Sequence, residues 1–307
     1  AEKDVYETGT FQQYPIGQKL VTPDGSIFRY VEMFSTVGVA NNLYQAAVPT
    51  ANWLTQALAT TAMAVGDSTI TFTDGGTAIA ADELAGGTVL VEETDDLGHI
   101  YRIKSNIASA GSAISILTLE DGVTVKVAVA IAGGNVLTVI KNLWKDVVIQ
   151  ASPPTSLVIG VPRVVIAANA YGWVCTRGVA SCLVNGTHSI GQPVVPSNAV
   201  DGSVGAKRRS GTDTIANAAT TVVITHNLGS TPTLDNISII MGEDPTNAID
   251  AFWVDTIGAT QFTINSNNPG ASNLDLAWSV EINTEPCGVC VEVAPTADFG
   301  HIFLTIE

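Results

Sequence analysis

Short segments in which apolar and polar residues alternate run along most of this chain, and turn-forming residues separate them. In the first half, turns at Asp74-Gly-Gly and Glu120-Asp-Gly lie between segments rich in Val, Ile and Thr. Alternation with a period of two is the pattern of a half-buried strand. Strands are therefore predicted at 68–73, 87–92, 99–104, 113–119 and 123–130, and their close spacing is typical of a β-barrel or sandwich.

The same pattern extends towards both ends of the chain. Pro23-Asp-Gly is a turn signal, and the alternation that starts at Ile27 predicts the second strand of a hairpin. We predict an all-β fold with very little helix: an N-terminal β-barrel or sandwich region and a separate C-terminal β-sandwich. Further strands are predicted at 147–150, 158–162, 164–167, 171–176 and 180–184, and then at 220–225, 236–241, 252–256, 261–265, 275–282, 289–293 and 302–306.

Charge is distributed unevenly along the chain. All 13 Lys and Arg residues lie before Ser210, whereas 12 of the 29 Asp and Glu residues follow it. The change falls in a polar, glycine-bearing stretch that includes Lys207-Arg-Arg, a composition typical of an exposed linker. We therefore predict a first domain at 1–200, a linker at 201–212 and an acidic module at 213–307, with a further division near 145–155 left open.

Composition narrows the classes of partner. The net charge is −16, and a C-terminal module without cations cannot replace the counterions of nucleic acid or of an anionic membrane. No apolar run approaches the roughly 20 residues of a membrane span, and no signal peptide is expected at the N-terminus. Only 14% of residues are charged, which favours extensive contact with neighbouring subunits or a larger assembly. A sheet-rich monomer with a Thr, Ser and Asn surface is the alternative.

Cys287-Gly-Val-Cys290 is the one motif with the spacing of a metal or redox site. Zinc usually requires two such pairs or nearby histidines, and a redox motif normally begins a helix. Free or locally paired structural cysteines, a Cys287–Cys290 disulfide and a metal site are the three alternatives, of which the first is favoured. Cys175 and Cys182 could face each other across a hairpin, depending on register.

Other candidate residues favour structural roles. The histidines, of which His226 is expected to hold the corner that follows it, have no metal-binding spacing, and no Gly-x-Ser-x-Gly elbow is present. The acidic run Glu92-Glu93 with Asp95-Asp96 is interpreted as a solvated loop, with a cation site as the alternative. We expect no enzymatic activity, cofactor or resident metal.

Two tryptophans are candidate ligand contacts. Trp253 and Trp278 alternate with apolar neighbours and are expected in the core. An exposed tryptophan at either position would instead suit stacking on a sugar.

The segment Tyr171-Gly-Trp-Val-Cys-Thr-Arg-Gly, followed by Asn185-Gly-Thr and Gly191-Gln-Pro-Val-Val-Pro-Ser, resembles a signature of structural proteins in tailed bacteriophages. Thr22-Pro-Asp-Gly and His99-Ile-Tyr-Arg-Ile-Lys-Ser fit the same family, and together these motifs cover most of residues 10–205. The resemblance implies a head-surface protein of the decoration type.

Thr225-His-Asn-Leu-Gly-Ser-Thr-Pro-Thr is similar to the opening of small β-sandwich modules in phage virion and tail-fibre proteins. Phe252-Trp-Val and Leu276-Ala-Trp-Ser follow the same pattern. This chain departs from it at Asn227, where glycine is usual, and residues 285–307 have no counterpart.

These resemblances imply a non-enzymatic virion protein that is made in the host cytoplasm and binds the outer surface of the capsid. The expected partners are the major capsid protein and further copies of the chain, most simply as a trimer, with no nucleic acid and no membrane. The alternative function is a tail-fibre or head-fibre adhesin whose C-terminal sandwich binds a host surface glycan.

Overall fold

Strands make up nearly all of the regular structure in this computed structural model, which describes residues 4–58, 61–92, 95–131, 134–242, 251–267 and 272–307. Within these ranges the only helices are three-residue 3-10 turns at Asp4–Tyr6, Ala51–Trp53 and Leu234–Asn236. The predicted all-β fold is confirmed. None of the helices described is long and apolar enough to cross a membrane.

The strands are antiparallel to their neighbours wherever two named strands pair. In chain order they are β1 (Lys19–Val21), β2 (Ile27–Glu32), β3 (Tyr44–Gln45), β4 (Gln56–Ala57), β5 (Thr69–Thr73), β6 (Thr88–Glu92), β7 (Ile100–Asn106), β8 (Ile114–Leu119), β9 (Val136–Ile140), β10 (Val148–Ile149), β11 (Val158–Pro162), β12 (Tyr171–Leu183), β13 (Pro193–Pro196), β14 (Val204–Ala206), β15 (Arg208–Ile215), β16 (Thr221–Thr225), β17 (Ile237–Met241), β18 (Phe252–Asp255), β19 (Gln261–Ser266), β20 (Leu274–Glu281), β21 (Gly288–Cys290) and β22 (Phe299–Thr305).

The chain divides into two compact units. The inserted unit comprises Ala46–Val147 together with Tyr14–Gly17, and the larger unit contains the chain up to Gln13, Gln18–Gln45 and Val148–Glu307. The boundary between Val147 and Val148 falls inside the span 145–155 where the sequence left a division open.

The inserted unit is a six-stranded sheet in the order β4-β9-β6-β7-β8-β5. An isolated bridge between Leu58, directly after β4, and Phe72 of β5 joins the two edges, so the strands close into a small barrel. Alternate residues of β5, β6 and β8 fill its interior, as expected for half-buried strands. The larger members of this core include Trp53, Met63, Ile70, Phe72, Ile79, Leu84, Tyr101, Ile103 and Leu117.

One predicted strand of the inserted unit is absent: residues 123–130 form no strand. Val125 and Val129 are buried as the alternation requires, but the backbone there crosses between elements. The Val125 amide bonds to Asp67, whereas the Val129 amide bonds to Met63. Hydrophobic alternation therefore predicted burial correctly at Val125 and Val129 but wrongly at Val127, which is 42% exposed, and it predicted the backbone pairing wrongly.

The larger unit is organised around the 13-residue strand β12. Its first half pairs with β2 and β11, and its second half pairs with β22 over seven residue pairs. The sheet continues from β22 through β21 and β13 to β14, and a parallel bridge between Val184 and Val204 returns it to the end of β12. The two strands predicted at 171–176 and 180–184 are thus one continuous strand, and residues 164–167 form none.

The hairpin predicted at Pro23-Asp-Gly is confirmed in the larger unit, where Val21 pairs with Ile27. Asp24 accepts hydrogen bonds from the Ser26 hydroxyl at 2.8 Å and the Ser26 amide at 3.2 Å. Hydrogen bonds from the hydroxyl of Thr22 and from Ser26 lower the pKa of Asp24 to about 2. The carboxylate therefore holds this turn in its ionised form.

Two three-stranded sheets form the predicted C-terminal β-sandwich. Their orders are β15-β20-β17 and β16-β19-β18. The inner faces meet in one apolar core, where the rings of Phe262 and Trp278 pack edge to face with their centroids 6.3 Å apart. Val195 of β13 and Ala206 of β14 belong to the same core, so the sandwich is continuous with the strands that precede it.

The structure places the domain boundaries differently from the sequence analysis. The predicted linker at 201–212 contains β14 and the first part of β15. Val204 and Ala206 of β14 are fully buried. The predicted module at 213–307 also loses β21 and β22, which pair into the sheet of β12. The division into 1–200 and 213–307 is therefore wrong, because the basic run lies on a strand of the sandwich rather than between domains.

Candidate functional site

Strand β22 presents two large apolar side chains to the surface. Its residues alternate strictly: Gly300, Ile302 and Leu304 are buried, and the residues between them are exposed. Phe299 and Phe303 are 47% and 39% exposed, respectively. Because successive side chains of a strand point to opposite faces, both phenylalanines lie on the face that is turned away from the core.

The strand register extends this exposure into a patch. Phe303 pairs with Val179 on β12 and with Val289 on β21, and Phe299 pairs with Leu183. Residues that pair directly across antiparallel strands share a face, so these side chains lie side by side. We call this set the outer apolar face: Val179, Leu183, Val289, Phe299 and Phe303.

Charge is sparse on the outer apolar face. His301 of β22 contacts Glu292, and both side chains are exposed. Arg177 lies at one end of the shared register, opposite Thr305. On this face the polar pair of Ser181 and His301 separates Phe299 and Leu183 from Phe303, Val179 and Val289. Large apolar side chains gathered on one exposed face are costly to leave in water and often mark interaction sites on proteins. The arrangement suits burial against another apolar surface.

The cysteines are free thiols. The sequence analysis left open whether Cys175 and Cys182 face each other across a hairpin. Both lie on the same strand β12, roughly 23 Å apart at the usual rise per residue. The Cys287–Cys290 alternative also fails, because the extended residues between them hold their Cα atoms about 10 Å apart, beyond the reach of a disulfide. The favoured interpretation as free structural cysteines agrees with the structure.

Burial makes these thiols poor nucleophiles. It raises the pKa of Cys287 to about 12 and that of Cys175 to about 11. A thiolate is the reactive and metal-binding form, and at neutral pH it is scarcely populated here. No group of three or more His, Cys, Asp or Glu side chains that could hold a metal occurs in the described parts of the chain.

The two candidate tryptophans have different environments. Trp278 of β20 is buried in the sandwich core, where its ring also approaches Gly211 closely, as expected for a core residue. Trp253 of β18 is 48% exposed, so its predicted place in the core is wrong. It shares a face with Asp255, and that polar neighbour two residues away is the sequence signal for an outward orientation.

His226 holds the corner that follows β16, as the sequence predicted. Its Nδ1 accepts a hydrogen bond from the Leu228 amide at 3.2 Å, and its Nε2 lies 3.1 Å from the carbonyl oxygen of Gly258. Asn227 has a φ of 47°, in the left-handed region that glycine and asparagine tolerate best. Asparagine at this position is therefore compatible with the corner.

The acidic run serves as a set of local hydrogen-bond acceptors. Asp95 accepts from the Ala130 amide and from Asn135 Nδ2, at 3.2 and 3.0 Å. Asp96 is buried and accepts from the Tyr101 hydroxyl. Glu93, which the sequence grouped with them, lies outside the described residues. The interpretation of this run as a solvated loop is therefore wrong for Asp96, which is buried, and for Glu92, which is the last residue of β6.

His188 is a buried histidine in the turn after β12. Neither ring nitrogen has a hydrogen-bond partner, although backbone groups of Gly186 and Gly205 lie near enough to favour the charged ring. Burial dominates and, with a smaller contribution from Arg209, lowers the pKa of His188 to about 4. The ring is therefore neutral in the folded chain at physiological pH.

Acidification is expected to destabilise the larger unit through His188. Since its pKa is about 4 when folded and 6.5 when unfolded, its contribution is fully present above pH 6.5 and is lost as the pH falls towards 4. The loss amounts to about 3 kcal/mol of unfolding free energy. Urea unfolding of wild type and of His188→Gln at several pH values between 4 and 7 measures this loss. The unfolding free energy of wild type should fall more steeply with decreasing pH than that of the variant. Equal slopes for the two proteins would contradict this assignment.

Comparison of this chain with protein-family models, curated proteins and solved structures finds no match.

Proposed function

We propose that this chain is a structural protein of a tailed-bacteriophage virion that binds the outside of the head and stabilises it. The observation that carries the proposal is the outer apolar face on β12, β21 and β22. The motifs that resemble decoration proteins lie partly on the same strand, since Tyr171-Gly-Trp-Val-Cys-Thr-Arg-Gly forms the first part of β12. The proposed partner is the major capsid protein, and the proposed location is the virion surface.

The proposed mechanism is repeated burial of preformed surface. A rigid sheet face loses little conformational entropy on docking, so most of the apolar burial contributes to affinity. A decoration protein contacts many equivalent positions of a shell, and copies that associate with one another bind with an avidity that exceeds a single contact. Trimerisation remains part of this proposal. Because the face carries few charges, its attachment should depend only weakly on salt.

Replacing both phenylalanines of the face, as Phe299→Ser with Phe303→Ser, is expected to lower occupancy on particles that lack this protein at least tenfold. Each ring, already half buried, would contribute about 1 kcal/mol on docking. Occupancy is measured by co-sedimentation with particles over a concentration series. The matched control is Ile240→Ser, an exposed apolar residue on β17 of the sandwich, which should bind like wild type.

Two results would contradict the proposal. One is unchanged occupancy of the double variant, with thermal unfolding like that of wild type. The other is a change in sedimentation coefficient without loss of particle binding, which would assign the face to association between copies. Cryo-electron microscopy of particles that carry a labelled chain shows where the chain lies on the particle. A signal confined to the tail would favour the adhesin alternative.

A further inference from the structure

The outer face of the sheet β16-β19-β18 carries an aromatic ring among polar side chains. Ile224, Phe262 and Ile264 point into the sandwich core, so the residues that alternate with them point outward. The register arranges the outward residues in three rows across the sheet. These rows are Thr221–Asn265–Trp253, Val223–Thr263–Asp255 and Thr225–Gln261.

Trp253 is the large exposed side chain that the edge strand β18 contributes to these rows. The residue is 48% exposed, whereas Trp53, Trp173 and Trp278 are buried. A half-exposed indole offers a flat apolar surface with a negative π face. The C–H bonds on one face of a pyranose ring match both properties, because they are apolar and slightly positive.

Asn265 provides an unused hydrogen-bonding group next to this ring. It pairs directly with Trp253 across β18 and β19, which places their Cβ atoms about 5 Å apart. Although Asn265 points outward by register, it is only 9% exposed, and its Nδ2 has no hydrogen-bond partner. A buried amide without a partner is unfavourable. Because Nδ2 is shielded from solvent, the Asn265 side chain must rotate to donate to an incoming acceptor such as a sugar hydroxyl, and that bond would remove the cost.

Asp255 supplies the complementary group. It lies two residues along β18 from Trp253 on the same face, about 7 Å away, and its side chain is exposed. A carboxylate accepts hydrogen bonds from neighbouring sugar hydroxyls, and Thr263 pairs with it across the strands. One aromatic plane, one donor and one acceptor therefore lie within the span of about one sugar ring.

The charge of this part of the chain selects among sugars. No Lys or Arg follows Arg209 in the sequence, and Asp255 places a negative charge on the face itself. An anionic sugar would find no counter-charge there and would be repelled by the carboxylate. We propose that this face binds a neutral pyranoside, with Trp253 stacking on the ring, Asp255 accepting from hydroxyls and the Asn265 amide donating. The proposal is independent of whether the chain docks on a capsid.

The competing explanation is that Trp253 contacts another copy of the chain. The polar residues in all three rows favour the sugar, because a dry interface would leave the Asn265 amide without an acceptor. The measurements below separate the two occupants.

The first measurement uses the full chain on an array of immobilised neutral oligosaccharides of glucose, galactose, mannose and N-acetylglucosamine, printed beside sialylated and sulfated versions. Binding to at least one neutral glycan, and weaker binding to its anionic derivatives, is expected. The preferred neutral oligosaccharide is then titrated in solution while tryptophan fluorescence is followed. A saturable blue shift with protection from acrylamide quenching is expected, since Trp253 is the exposed indole of the sandwich.

The variants assign the contacts. Trp253→Ala should weaken binding at least tenfold, and Trp253→Phe should retain it within a few-fold because it keeps an aromatic plane. Asp255→Asn and Asn265→Leu should each weaken binding about fivefold. Ile240→Ala, on the other sheet, is the matched control and should bind like wild type. Each variant is compared with wild type by thermal unfolding before its affinity is interpreted.

Three results would overturn the proposal. The first is the lack of binding to any neutral glycan on the array by folded wild-type protein. The second is a preference for the sialylated or sulfated versions. The third is glycan binding that Trp253→Ala leaves unchanged, or a Trp253→Ala variant whose only change is a lower sedimentation coefficient, which would assign the face to contact between copies.

Discussion

Ending the chain at Ser203, near the boundary suggested by its charge distribution, is expected to leave the larger unit unfolded. Such a chain lacks β22, which pairs with seven consecutive residues of β12, the strand at the centre of that unit. It also lacks the fully buried Ile302 and Leu304. Removing a single buried aliphatic side chain costs about 2–5 kcal/mol, and an entire domain is stable by only about 5–15 kcal/mol. Circular dichroism and proton NMR dispersion of the shortened chain measure the result.

Point variants of the same strand test this reason at full length. Leu304→Asp places a charge in the core and should lower the unfolding free energy of the larger unit by at least about 3 kcal/mol. Thr305→Asp, the neighbouring exposed position, should change it by less than about 1 kcal/mol. A shortened chain with native NMR dispersion, or equal stabilities of the two Asp variants, would show that β22 is dispensable.

Gly229→Val is expected to be nearly as damaging, because two constraints meet at this residue. Its φ is +73°, which a β-branched residue adopts only under strain. A Cβ atom there would also lie 2.0 Å from the carbonyl oxygen of Asn185 and 2.8 Å from the Gly186 amide nitrogen. These atoms are backbone, so no side-chain rotation relieves the clash. We expect a loss of about 3–5 kcal/mol.

Urea unfolding of Gly229→Val, followed by fluorescence, measures the loss as a shift in midpoint. The matched control is Gly258→Ala, where the one neighbour within contact range of the added Cβ is the Gln261 carbonyl oxygen at 3.6 Å. That variant should unfold within about 0.5 kcal/mol of wild type. If Gly229→Val unfolds at the wild-type midpoint, the close approach of the two turns does not exist in solution.

The sequence predicted the strands well because their signal is local. In β20, Leu274, Leu276 and Trp278 alternate with small or polar residues, and the core face can be identified without knowledge of the partner strands. In β18 the same rule would have placed Trp253 outward with Asp255, but apolar residues on both sides obscured it. Most strands of the C-terminal sandwich therefore followed from the sequence, whereas β9 was not predicted and most of β15 was taken for a linker.

The domain boundaries could not be predicted, because they depend on pairings between distant residues. Nothing local distinguishes Phe299–Thr305 as a partner of β12 rather than of the neighbouring sandwich. The change in charge near Arg209 is real, but it coincides with exposed positions of β15 and reports surface composition instead of a linker. The outer apolar face has the same origin, since it exists only once the register brings Val179 and Phe303 together.

The path of the chain around the inserted unit has an evolutionary and practical consequence. The chain leaves the larger unit after Gln45 and returns at Val148, and these two residues are register partners in the ladder between β3 and β10. Their separation is one that a two-residue hairpin turn spans. If the short segment Tyr14–Gly17 is set aside, an ancestral chain without the barrel would need only such a turn to connect β3 to β10. The same position can accept a foreign domain with adjacent termini, which makes it a natural place for genetic fusion.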